Sequence, residues 1–287
     1  FAQSREEEFV GRINGLSYQE IAEKGGGIIN SAIKLQNTDE NKLYEDAIIR
    51  LNKIIKMGTG AIEIKSGYGL TIESELKMLK VIKKLKENSD ITIRATFLAA
   101  HALPKNFKNN KDGYMDLVIN EMLPAVSKEK LADYVDIFCE KGYFNVDDTK
   151  RLLEAANKFG MKAKTHVNQF NAMGGVKASV DSGAISVDHL ENMNEEDFDV
   201  LLGSNCMPTI LPSCSFFLGI PYSPARKMID RGLPVALATD YNPGSSPSGN
   251  MNLVASIGCI KLYMTPEEVI NATTINSAYA MGVEKEL

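Results

Sequence analysis

The chain alternates short, continuously apolar runs with longer stretches in which apolar residues recur at helical spacing. Runs such as Val235-Ala236-Leu237-Ala238 leave no polar position to face water. They read as strands buried on both faces, as in a parallel sheet. Segments 28–35, 61–65, 91–98, 134–139, 161–166, 185–189, 206–211 and 235–240 are the candidate strands, several of them apolar on nearly every residue. Between them lie helices with marked ends. Thr71 is suited to cap a helix whose first turn carries Glu73 and Glu75 and whose apolar stripe is Leu76, Leu79, Val81, Ile82 and Leu85. Lysines alternate with that stripe from Lys77 to Lys86 and read as its solvated face. Asn145 opens a second helix that stops at Phe159-Gly160. Repeated β-α units over this length predict one domain, residues 1–287, folded as a (β/α)8 barrel of the TIM type. An open, doubly wound sheet is the other arrangement this pattern allows.

Composition narrows the picture. A hydrophobic content of 44% over 287 residues sustains one sizeable core. The net charge of −5 gives no reason to expect nucleic acid as a partner. Cys139, Cys206, Cys214 and Cys259 form no C-x-x-C pair, so a reducing, cytoplasmic setting is expected. No apolar run approaches the ~20 residues that span a bilayer, and no signal-peptide pattern opens the chain, so no membrane partner is expected. The chain starts at Phe1 without an initiator methionine, and the natural N-terminus is expected upstream.

The candidate chemistry lies at strand ends. The chain has three histidines. His101 follows the run 91–98, His166 ends 161–166, and His189 ends 185–189; Asp240 ends 235–240 in the same way. In a parallel barrel the C-terminal ends of all strands open on one face, where active sites are built. A lone histidine is more often a satisfied core residue than a ligand. Three from three, joined by a strand-end aspartate, form a pattern which that explanation does not produce. Imidazole and carboxylate suit Zn²⁺ or Fe²⁺, and an open coordination position lets water ionise near neutral pH. Two loops add to the set: Ser66-Gly67-Tyr68-Gly69 after residues 61–65, and the Gly/Pro/Ser-rich segment 240–249, whose N–H groups and hydroxyls suit a carboxylate.

Several segments together resemble the imidazolonepropionase family of metal-dependent amidohydrolases. They are Ser4-Arg5-Glu6-Glu7-Glu8-Phe9, Gly25-Gly26-Gly27-Ile28, Glu63-Ile64-Lys65-Ser66-Gly67-Tyr68-Gly69-Leu70, Phe97-Leu98-Ala99-Ala100-His101-Ala102, His166-Val167-Asn168-Gln169, Asp188-His189-Leu190-Glu191 and Ala238-Thr239-Asp240-Tyr241-Asn242-Pro243-Gly244-Ser245. They span almost the whole chain in the family's order. The resemblance implies an amidohydrolase barrel that binds one divalent metal, Zn or Fe, and hydrolyses 4-imidazolone-5-propanoate to N-formimidoyl-L-glutamate. It makes His166 and Asp240 metal ligands and places His189 beside the metal's water. It assigns Arg5, Tyr68 and His101 to the substrate, with His101 offsetting charge on the carbonyl oxygen. Asn242, Gly244 and Ser245 would hold the product. His189, Asp240 and Gln169 form the catalytic set. Gln169 stands where some members carry Glu; an amide shuttles no protons, so acid–base work falls to His189 and Gln169 hydrogen-bonds the substrate.

The family's remaining ligands form an H-x-H on a first barrel strand. That strand, and a small β domain built from both termini, are expected outside this chain. With it, the eight segments above make nine strands, one too many for the barrel. A homodimer and a small substrate bearing a carboxylate are also implied. Two competing readings are a deaminase of the same superfamily acting on an uncharged ring, which would have no use for Arg5, and a non-catalytic barrel serving as a binding or assembly module.

Overall fold

The computed structural model describes residues 1–16, 20–21 and 26–286. Gly25, in the segment Gly25-Gly26-Gly27-Ile28, lies outside the described residues. Seven strands are present among those described: β1 Ala61–Lys65, β2 Thr92–Ala100, β3 Tyr134–Cys139, β4 Lys162–Val167, β5 Ser186–His189, β6 Met207–Ile210 and β7 Ala236–Leu237. Their order in the sheet is their order in the chain, and every neighbouring pair is parallel. A doubly wound sheet reverses its order at a switch point, so this topology excludes it.

The sheet is also curled. In a flat sheet β1 and β5 would lie roughly 19 Å apart, four spacings of ~4.8 Å. Yet Lys65 Nζ on β1 sits 3.2 Å from Asp188 Oδ2 on β5, and Lys164 Nζ on β4 sits 2.6 Å from Glu63 Oε2 on β1. Side chains meet in this way only across the interior of a barrel-like sheet. The fold is that of a (β/α) barrel, with helices packed on its outer face.

Local signals hold at the helix ends. Thr71 accepts a hydrogen bond from Ser74 N–H at the start of helix Ile72–Glu87. Asn145 and Asp148 form a reciprocal capping box that opens helix Val146–Lys158, and Gly160 follows it at φ 71°. One reading fails: residues 28–35 are helical, within Gly27–Gln36. The buried positions Ile28, Ser31, Ala32 and Leu35 fall at spacings of three and four, the helical period. The run was apolar enough to hide that period as a continuous strand. Its removal takes away the surplus strand.

The interior is charged, not purely apolar. Lys65 Nζ also lies 2.6 Å from Glu63 Oε1 and 2.8 Å from Asp136 Oδ2. Lys164 Nζ further donates to Ala280 C=O at 2.9 Å. Buried charges persist only when paired and hydrogen-bonded, and this network meets that requirement except at Asp136 Oδ1. Burial by itself would raise the Glu63 carboxyl, but Lys164 and Lys65 more than offset it and hold it down at about 2.

Candidate active site

Each strand-end residue is brought to one place. A register shift in β2 between Phe97 and Ala100 precedes His101; bulges of this kind re-aim side chains beside active sites. The His166 ring lies 6.2 Å from that of His101 and 5.4 Å from that of His189. All three histidines and Asp240 line a cavity of about 850 Å³, together with Arg5, Tyr68, Gln169, Asn242 and Ser245. Gly244 is the remaining expected residue, and it packs against Arg5. The backbone pays for the convergence: Asn168, His189 and Asp240 have φ of 58°, 88° and 51°. Such left-handed conformations in non-glycine residues cost on the order of 1–3 kcal/mol each and concentrate at functional sites.

His166 stands on the ionic network. Its Nδ1 is 2.9 Å from Asp136 Oδ2, close but without the alignment of a hydrogen bond, and Asp136 Oδ1 has no hydrogen-bond partner. Burial would raise the Asp136 carboxyl, but His166 and Lys65 reverse this and hold it well below the usual range.

His101 is held differently. Its Nδ1 lies 3.1 Å from Gly67 C=O, and a carbonyl can only accept, so Nδ1 carries the hydrogen. Burial, with His166 adding to it, lowers this imidazole to about 3. A neutral ring with Nδ1–H committed presents a lone pair at Nε2. With Nδ1 tied to Gly67, Nε2 is the nitrogen His101 keeps for the cavity. Tyr68 packs edge-on against this ring at 5.3 Å. The loop carrying Tyr68 is tied by the buried Glu75, which accepts from Gly67 N–H at 3.0 Å, Gly69 N–H at 2.7 Å and Leu70 N–H at 2.9 Å.

His189 faces a carboxylate and a thiol. Nδ1 is 3.4 Å from Glu191 Oε1, and Ser223 Oγ donates to the His189 carbonyl at 2.7 Å. Burial opposes charge on this ring, but Glu191 and Cys214 outweigh it and raise its pKa well above the usual value. Gln169 Nε2 reaches Cys214 Sγ at 3.4 Å.

The loop after β7 is braced by Asn242. Its side-chain oxygen accepts from Gly244 N–H and Ser245 N–H, both at 2.9 Å, and its amide donates to Asp240 C=O and Ser245 Oγ, both at 2.7 Å. Ser245 Oγ in turn donates to Asp240 Oδ2 at 3.1 Å. Burial raises the Asp240 carboxyl, with His189 and His166 opposing. Arg5 lies so close to Gly244 that a Cβ there would collide with its guanidinium. Glu8 grips Arg5 from the other side, accepting from Nε at 2.7 Å and also from Nη2. The other Glu8 oxygen accepts from Gly27 N–H at 3.0 Å. Two segments distant in sequence, 4–9 and 26–28, thereby meet at the 240–249 loop.

Sequence reasoning passed over Asp136, Glu191, Cys214 and the organising acids Glu8 and Glu75. One signal was available for the interior set: charged residues within expected strands, as Glu63 and Lys65 at alternate positions of 61–65 and Lys164 in 161–166. The donors fit a divalent cation. His166 and Asp240 supply imidazole and carboxylate, while Glu63, Asp136 and Asp188 outnumber Lys65 and Lys164 by one charge beneath them. That imbalance favours a cation above. Asp136 behind His166 matches the carboxylate that orients a ligating imidazole.

Residues 63–287 match the amidohydrolase family. An imidazolonepropionase of Christiangramia forsetii is 64% identical over 285 residues, 99% of this chain and 69% of that protein. An imidazolonepropionase of Alkaliphilus oremlandii is 43% identical over 287 residues, 100% of this chain and 68% of that protein. Among solved structures, guanine deaminase from C. acetobutylicum aligns with a TM-score of 0.66 at 15% identity, over 87% of this chain and 64% of its own. Triazine hydrolase from Arthobacter aurescens aligns with a TM-score of 0.69 at 13% identity, over 93% of this chain and 65% of its own. Those two likenesses concern the fold alone.

Proposed function

Since the chain belongs to the amidohydrolase family, and within it to the imidazolonepropionases, we propose that it hydrolyses 4-imidazolone-5-propanoate to N-formimidoyl-L-glutamate, a step of histidine degradation. The observation that carries this reading is the seating of Arg5 against the 240–249 loop, at a cavity shared by three histidines and Asp240. A site for an uncharged ring has no use for a cation there; a propionate does.

His166 and Asp240 would hold one divalent metal, zinc or iron. That metal lowers the pKa of water and polarises a carbonyl when bound. Arg5, fixed by Glu8, grips the propionate, since a guanidinium meets a carboxylate with two hydrogen bonds. Asn242, Gly244 and Ser245 complete that end and hold the product. Tyr68 closes over the substrate beside His101. His101, with Nδ1 tied to the Gly67 carbonyl, keeps Nε2 for the substrate. Gln169 hydrogen-bonds the substrate through its amide. With Nδ1 facing Glu191, His189 keeps its other nitrogen for the reacting atoms, and it passes a proton to the leaving ring nitrogen, with Asp240 sharing the proton transfer.

Residues 1–287 act as one catalytic domain in this reading, in a cytoplasmic homodimer. The test is turnover of imidazolonepropionate, followed by formimidoyl-glutamate release, with guanine in parallel. Ring opening of the first substrate alone is expected. Deamination of guanine without ring opening would overturn the proposal.

A further inference from the structure

Behind His189 lie two further donors, Glu191 and Cys214, that touch no substrate in the proposed reaction. Cys214 is fully buried on helix Pro212–Leu218, and the Glu191 side chain is fully buried after β5. One ligand atom each from His189, Glu191 and Cys214 lies within 4.8 Å of the other two. Glu191 Oε1 accepts from Ser215 Oγ at 3.3 Å and faces His189 Nδ1, whereas Oε2 has no hydrogen-bond partner although it is buried. An unsatisfied carboxylate oxygen beside an imidazole and a thiol is costly to keep in a protein interior. A cation would satisfy it.

We propose that His189, Glu191 and Cys214 form a second cation site, for a thiophilic divalent ion such as Zn²⁺ or Cd²⁺, separate from the site ascribed to His166 and Asp240. Thiolate, imidazole and carboxylate together select a borderline-soft ion over Mg²⁺ or Ca²⁺. Binding releases the thiol proton of Cys214 and any proton on His189 Nδ1, because only the deprotonated atoms ligate. The ion reaches the group past His189 and Gln169, both of which line the cavity. Occupancy commits His189 to the ion and takes it out of proton transfer; this consequence rests on the role proposed for His189 above. The second site is thus inhibitory.

The test titrates Cd²⁺ into purified protein already carrying its first metal equivalent. Metal content after dialysis and thiolate-to-cadmium charge-transfer absorbance in the near ultraviolet are read alongside hydrolysis. One further Cd²⁺ per chain is expected, with the absorbance band growing as activity falls by about a hundredfold, the scale of a lost acid–base group. Cys214→Ala should abolish the band, and Glu191→Gln should weaken the second binding step at least about tenfold. Cys214→Ser serves if the alanine variant does not fold. No second equivalent, or a band that survives in the Cys214 variants, would overturn the site. A band that comes and goes with Cys214 while hydrolysis stays undiminished would confirm the site and overturn the proton-transfer role of His189 instead.

Discussion

Arg5 and Gly244 show how single residues set the site. The guanidinium fills the space where any side chain at position 244 would begin, so glycine is required there for contact. Arg5→Ala removes a charge-assisted pair worth about 1.5–3 kcal/mol, or roughly tenfold to a hundredfold in KM, with kcat less affected. Gly244→Ala should move KM in the same direction by displacing Arg5. Steady-state kinetics on both variants check this; an Arg5→Ala protein that loses its metal while KM stays put would contradict it. At this scale the strand-end residues were legible because a parallel barrel sends every strand end to one face. Asp136, Glu191 and Cys214 were not. Asp136 sits inside β3, one strand over from His166. Cys214 belongs to a helix after β6. Strand pairing brings Asp136 to His166, and the approach of that helix brings Cys214 to His189 and to Glu191, two residues further on.

Among elements, β1 and its following loop carry the most information. Glu75 reads in sequence as an ordinary first-turn acid of helix Ile72–Glu87. In the fold its carboxylate turns back and takes three backbone N–H groups of the loop that presents Tyr68 and supports His101. Glu75→Gln keeps the volume but offers one acceptor oxygen where two are needed. The unsatisfied N–H costs about 1–3 kcal/mol of stability, and KM should rise because Tyr68 is no longer held. Denaturant unfolding with kinetics measures both, and an unchanged midpoint would contradict the bracing role. Seven of the strands expected from continuous apolar runs are present, with ends shifted by a few residues. Residues 28–35 are the exception, because a short apolar run does not separate buried strand from buried helix. Its helical period becomes decisive only once the sheet beneath is known.

At the scale of the whole molecule, the charged interior links stability to pH. Glu63 is depressed from 4.5 to about 2 in the folded chain, so its contribution is complete above the unfolded value. That contribution is lost as pH falls from about 4.5 through about 2. Glu63→Gln strips Lys65 and Lys164 of a shared carboxylate and should cost about 3–5 kcal/mol at neutral pH. The variant should also show a weaker fall in stability across that acid window. Unfolding followed from pH 7 to pH 2 would reveal it; parallel curves for both proteins would contradict the pairing.

The central claim is that strand-end imidazole and carboxylate groups would hold a divalent metal where the imidazolone ring is opened. The most direct measurement is metal content per chain together with imidazolonepropionate turnover, for the protein as purified and for His166→Ala. About one metal per chain and ready turnover are expected, with both lost in the variant. A His166→Ala protein that keeps its metal and its turnover would contradict the account.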